Sequence, residues 1–275
     1  MNDLEFLKKR KGMTIANAWM LLFTCIGFLI VLMVAFVYYN KRIVQKDAEF
    51  GVEYILYAFV LTFFSVSLLG IWLINKEFPR FKSIKNSDFF NVILISMTWI
   101  IFSTVFDEFA SLFESDSKDK NDVFSHSRWI LDILVSVSFA LFQIGVISHG
   151  LFKNYSFKKA IITIFFSGLV FIIPHIALPM AFQGLMFAII YYALGSFQTV
   201  LISAILVSVP EYFFWYFYGV KNNNPIKNNW IVNEPIYYLA TALAFVLWLY
   251  FLYRLYKNRE QIEWNQTATY EEIIF

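Results

Sequence analysis

Apolar runs long enough to cross a bilayer follow one another along nearly the whole chain, and the charged residues collect in the short connectors between them. The runs fall at residues 14–39, 54–74, 89–106, 129–152, 160–180, 181–194, 196–219 and 235–256. A hydrocarbon core about 30 Å thick takes roughly 20 residues of α-helix, and most of the runs reach that length. The pattern predicts an all-α fold, a polytopic membrane helix bundle of about eight transmembrane helices. The stretch 160–194 is expected to hold two antiparallel passes that turn near Pro179 and Met180. Glycine and serine at Gly195-Ser196 allow a sharp reversal before the next run.

Composition agrees with the pattern. Of 275 residues, 59% are hydrophobic and only 15% charged, more apolar surface than one soluble domain of this size could bury. No module outside the runs is large enough to hold its own core, so residues 1–275 are read as a single transmembrane domain. The lone cysteine, Cys25, excludes an intramolecular disulfide and a cysteine-based metal site. A net charge of +2 is too small to suggest nucleic acid. The first run is longer than the apolar centre of a cleavable signal and is read as a retained anchor. Usage rich in Ile, Lys and Asn suggests an AT-rich bacterial genome and, with the runs, a multi-pass protein of the bacterial plasma membrane.

Basic residues orient the chain. If the runs are eight passes, one side holds Lys8, Lys9, Arg10 and Lys11, the connector 75–88, the connector 153–159 and the tail. That side carries fourteen Lys and Arg against eight on the other, which places both termini in the cytoplasm. The lysines and arginine at positions 8–11 also suit anionic lipid heads. Tyr38, Tyr39, Trp129 and Trp230 sit where interfacial anchors are expected.

An ionisable group inside a span is a candidate for function, because lipid does not solvate it. His175 follows Pro174 and Glu211 follows Pro210, each where a proline loosens the helix. Asp107 and Glu108 close the third run and Asp132 opens the fourth. All five share the outer half of the bundle. One histidine and several carboxylates at one depth suit general acid–base work, a proton relay or a metal. The plainer account gives Asp107, Glu108 and Asp132 solvated positions at span ends, His149 an interfacial one, and Glu211 a structural hydrogen bond. No cofactor follows from the residues. There is no Gly-rich phosphate loop, His-Glu-x-x-His, Cys-x-x-Cys or Gly-x-Ser-x-Gly, which argues against an ATP-driven pump or a metalloprotease of that type.

Phe171-Ile-Ile-Pro-His175 matches a Phe-x-x-x-His motif, and a Gly-containing run from Gly184 ends in the Gly195-Ser196 turn. Through these, residues 150–208 resemble the core of the CPBP family, membrane proteins related to CAAX-processing proteases and bacteriocin self-immunity proteins. The resemblance implies a CPBP-like core at about residues 129–219, with His175 in the first motif. It also implies a Glu-Glu-x-x-x-Arg motif just before Gly150, where this chain has Ile144, Gly145 and, in place of the arginine, His149. A second histidine is implied near Ser203 or Ala204 and is missing. A second register, with Asp107-Glu108 as the pair and His149 and His175 as the two histidines, fits the spacings less well.

Three functions follow. The first is an atypical, non-catalytic member that binds a membrane protein or peptide partner, as in bacteriocin immunity or regulation. The second is an intramembrane endopeptidase with a rewired site, in which His175 works with Glu211 or, failing that, Glu108. The third is a transporter or permease subunit with His175, Glu211 and Asp107 along its path.

Overall fold

The computed structural model describes residues 13–39, 52–111, 128–169, 174–208 and 235–259. Six helices among them are long and apolar enough to cross a membrane, so the chain is a multi-pass membrane protein, and every regular element among the described residues is helical. Helix α1 is Ile15–Tyr39. Helix α2 is Val52–Gly70, continued by a π-helical turn at Ile71–Asn75. Helix α3 is Asn86–Ser111. Helix α4 runs from Arg128–Ala140 through a π-helical segment, Leu141–Ser148, into His149–Asn154. Helix α5 is Phe157–Leu169, α6 is Pro174–Leu194, α7 is Phe197–Ser208 and α8 is Pro235–Lys257.

The reversal expected at Pro179 and Met180 is not there. Helix α6 runs through Pro179, and the preceding helix has already ended at Leu169. Pro174 opens α6, where its missing N–H is one the first turn would leave unpaired anyway and its fixed φ suits helix entry. Pro179 forfeits a single backbone bond inside α6. The Gly195-Ser196 reversal is as expected. Gly195 has φ 63°, a left-handed conformation glycine adopts without steric penalty, and its N–H donates to the Tyr191 carbonyl at 2.8 Å.

Helix α4 is the centre of the bundle. Its π segment lies against α2, α5 and α6, and Phe142 through Ser148 are all buried. The two π segments touch each other, and Asn75 Nδ2 donates to the Val146 carbonyl at 2.8 Å. A π turn widens the helix and leaves carbonyls poorly matched. The Asn75 amide and the Ser148 hydroxyl, which donates to the Gln143 carbonyl at 2.7 Å, take up two of them.

Between apolar helices in lipid, association rests on close packing rather than on escape from water. Two devices supply it here. Aromatic rings interlock α3, α6 and α8: Phe102 meets Phe245 at 4.7 Å and Phe182 at 6.3 Å, and Trp99 meets Trp248 at 5.6 Å. Helices α5 and α6 approach so closely at Gly168 that a Cβ there would lie 2.5 Å from Ala181 Cα. The outward faces stay apolar, with Trp72 74% and Leu239 71% exposed, as a lipid-facing surface requires.

Candidate functional site

The start of α1, the α2–α3 connector, the α4–α5 connector, the Gly195-Ser196 turn and the end of α8 gather at one end of the bundle. Asn154 Nδ2 donates to the Met13 carbonyl at 2.7 Å, the Phe197 N–H donates to the Arg80 carbonyl at 2.8 Å, and the Phe157 and Tyr256 rings stack at 4.7 Å. The connectors that the charge count assigns to one side are therefore neighbours in space.

At this end lies a polar cluster with His149 at its centre. The α4 helix carries His149 just beyond the π segment, and the ring is buried, 1% exposed, rather than interfacial as the sequence suggests. Its Nδ1 lies 2.7 Å from Tyr191 Oη, and its Nε2 lies 3.7 Å from Glu77 Oε1. Glu77 also pairs with Lys153, one turn further along α4. Tyr191 Oη accepts the Arg80 N–H at 3.1 Å. With the proton on Nε2, Nδ1 accepts the Tyr191 hydroxyl while the imidazole N–H faces the Glu77 carboxylate. That tautomer suits every partner, and it is assigned from the network.

Chemically this is a carboxylate–imidazole–phenol chain. It runs from half-exposed Glu77 inward to Tyr191, whose far side is closed by the Arg80 backbone amide. Such a chain can hold a proton and fix geometry. It opens onto the surface only at Glu77, so its clearest effect is to fasten the α2–α3 connector to α4 and α6. Lys76 begins that connector in a left-handed conformation, φ 54°, which ends the π turn and releases the chain sideways.

Of the residues singled out from the sequence, Asp107, Glu108, Asp132 and His175 lie toward the other end. His175 is the second residue of α6 and Glu108 lies in the last turn of α3; their side chains are outside the described residues, as is that of Asp107. Glu211 lies wholly outside the described residues. Asp132 is half-buried on α4. The backbone does set a depth for two of them. Phe102 meets Phe182 between antiparallel α3 and α6, and Glu108 and His175 follow six and seven residues further toward that end. At 1.5 Å per residue both lie about 10 Å beyond the aromatic contact, so the two helix ends reach one level.

The positions at which a CPBP site would carry its other groups are filled by packing. Ile144 is fully buried, and a Cβ on Gly145 would already come within 3.0 Å of Leu141 and 3.5 Å of Pro79. Ser203 is buried on α7 with its Oγ 2.8 Å from Ser96 Oγ, and Ala204 beside it is buried too. Among the described residues no group of three or more His, Cys, Asp or Glu stands close enough to hold a metal.

A buried polar residue that sequence reading passed over is Gln143. Its Nε2 donates to the Ile164 carbonyl at 2.9 Å and to Ser167 Oγ at 2.7 Å, tying α4 to α5. Gly184 of α6 leaves room for the amide, and Gln143 Oε1 is buried without a hydrogen-bond partner among the described residues. An amide in the middle of an apolar run was the available signal. No family model, curated protein or solved structure matches the chain.

Proposed function

We propose that this chain is an atypical CPBP-like membrane protein of eight passes, with both termini in the cytoplasm of a bacterium, that binds a membrane protein or peptide without cleaving it. The observation that carries this reading is the packed state of the positions where the family's paired glutamates and second histidine belong. Ile144 is buried, Gly145 sits inside the bundle beside Pro79 and Phe197, and Ser203 is bonded to Ser96. Without a carboxylate there, no general base stands ready to activate water. Immunity toward a bacteriocin, or regulation of a membrane partner, needs a surface and no such base.

Two experiments test the reading. The first asks for catalysis: reconstituted protein, offered a peptide library in lipid nanodiscs, is expected to give no cleavage that depends on His175 or Glu211. Cleavage that falls about 10²-fold or more in both His175→Ala and Glu211→Gln would establish the rewired endopeptidase instead. The second concerns topology. Tags at either terminus are expected to react with impermeant reagents only from the cytoplasm, and a tag at 115–122 only from outside. A carboxyl tail reactive from outside would remove the eight-pass arrangement.

A further inference from the structure

The α2–α3 connector, Lys76 to Lys85, is a fixed strap across one end of the bundle. Its main chain is held at three points. The Arg80 carbonyl accepts the Phe197 N–H at 2.8 Å, the Arg80 N–H donates to Tyr191 Oη at 3.1 Å, and Ser196 Oγ both accepts the Lys82 N–H at 3.3 Å and donates to the Lys82 carbonyl at 2.9 Å. What the strap turns outward is mixed in an unusual way for a connector. Lys76, Arg80, Lys82 and Lys85 are exposed, and Phe78 and Phe81 among them are 69% and 57% exposed. On either side the outward faces of α2 and α3 continue the apolar surface through Trp72, Leu73, Phe89 and Phe90. Cations interleaved with aromatic rings, at the level where apolar helix faces end, match the boundary between lipid headgroups and acyl chains.

Beside the strap is a shallow depression lined by Lys82, Ser83, Lys85, Asp88, Ser196 and Thr199. Two lysines line it against one carboxylate, with Ser83 beside them; the Ser196 hydroxyl is engaged with the Lys82 main chain, and Thr199 Oγ1 donates to the Ser196 carbonyl at 2.6 Å. The geometry points to an anionic phospholipid site here, with the headgroup phosphate between Lys82 and Lys85 and the acyl chains running down past Phe89 and Phe90. The choice of occupant follows from charge and from continuity: the ligand must carry negative charge at the strap and apolar chains along the helix faces that already meet lipid. The inference rests on membrane embedding alone and stands whether or not the protein is CPBP-like.

Because main-chain atoms and Ser196 hold the strap, neutralising its lysines leaves the described anchoring bonds in place. Protein purified from mixed phosphatidylglycerol–phosphatidylcholine membranes is examined by native mass spectrometry for retained lipid. Wild type is expected to keep phosphatidylglycerol in preference to phosphatidylcholine. The Lys82→Gln/Lys85→Gln variant is expected to lose that preference by about tenfold or more, each basic residue near an anionic surface contributing several-fold. Lys158→Gln/Lys159→Gln removes the same charge from the exposed start of α5, at the same end but not part of the strap or of the depression's lining, and is expected to retain it. No preference in wild type, an unchanged preference in the strap variant, or an equal loss in both variants would each overturn the site. Thermal unfolding of the two variants at the wild-type temperature confirms that the comparison is between folded proteins.

Discussion

Replacing Gly168 by valine is expected to be among the most damaging single changes in the described bundle. A Cβ at this position would sit 2.5 Å from Ala181 Cα, 2.8 Å from Ala181 N and 3.0 Å from Ala181 Cβ, where ordinary contact begins at 3.4 Å. The obstructing atoms are mostly backbone of α6, so no rotamer change relieves them. The helices must part by about 1 Å along the contact that holds α5 against α6. In lipid that contact is the source of association, since water exclusion does not drive it. Overpacking in a close-packed interior costs typically about 1–3 kcal/mol, and valine adds two methyls to the clash. Gly27 is the matched control, because a Cβ there meets nothing within 4 Å. Gly27→Ala should unfold with wild-type protein in detergent, Gly168→Ala well below it, and Gly168→Val should fail to accumulate. Wild-type unfolding of Gly168→Ala would show that α5 and α6 are further apart than described. Full rescue of Gly168→Ala by Ala181→Gly would place the clash at the side chain, contrary to the backbone argument.

The long helices were legible in the sequence because each needs only an unbroken apolar run, and lipid makes that requirement strict. The division of 160–194 was not. Two prolines five residues apart both look like breaks, and only three-dimensional context tells a proline that begins a helix from one tolerated inside it. Choosing Pro179 put His175 at the end of one helix; the chain places it at the start of the next. The Gly195 reversal was legible because glycine enters the left-handed conformation without steric penalty and stands here between two apolar runs, whereas left-handed Lys76 carries no such mark. The π segment at Leu141–Ser148 left little mark on its own sequence. It depends on Asn75, about 70 residues earlier, for part of its hydrogen bonding, and periodicity cannot report a partner so distant.

The same limit hid the polar cluster. The sequence singles out neither Glu77 nor Tyr191, and it reads His149 as an interfacial residue at a span end. Only the strap, folding back beneath α6, brings a carboxylate to one face of a buried imidazole and a phenol to the other. The resemblance to CPBP proteins pointed to the position of His149, as the place of an arginine, but said nothing of Tyr191 or Glu77.

Tyr191→Phe should therefore cost more than the loss of one hydroxyl at a protein surface. It removes the partner of His149 Nδ1, described at 2.7 Å, and the acceptor of the Arg80 N–H, described at 3.1 Å. Leaving a buried polar group without its partner costs about 1–3 kcal/mol, more than the net worth of the bond itself. His149→Phe takes away the imidazole but leaves Tyr191 still accepting from Arg80, so its cost should be smaller unless the larger ring strains the π segment. The double variant Tyr191→Phe/His149→Phe no longer holds an orphaned imidazole. It should be destabilised by less than the sum of the two single changes, with a coupling of about 0.5–3 kcal/mol as found for residues in one network. Reversible unfolding in mixed micelles measures all three. Additive losses would mean that the His149–Tyr191 bond contributes nothing on its own. A Tyr191→Phe protein as stable as wild type would show that the Tyr191 hydroxyl does not fasten the strap to α6, leaving the Arg80 backbone held through the Phe197 N–H alone.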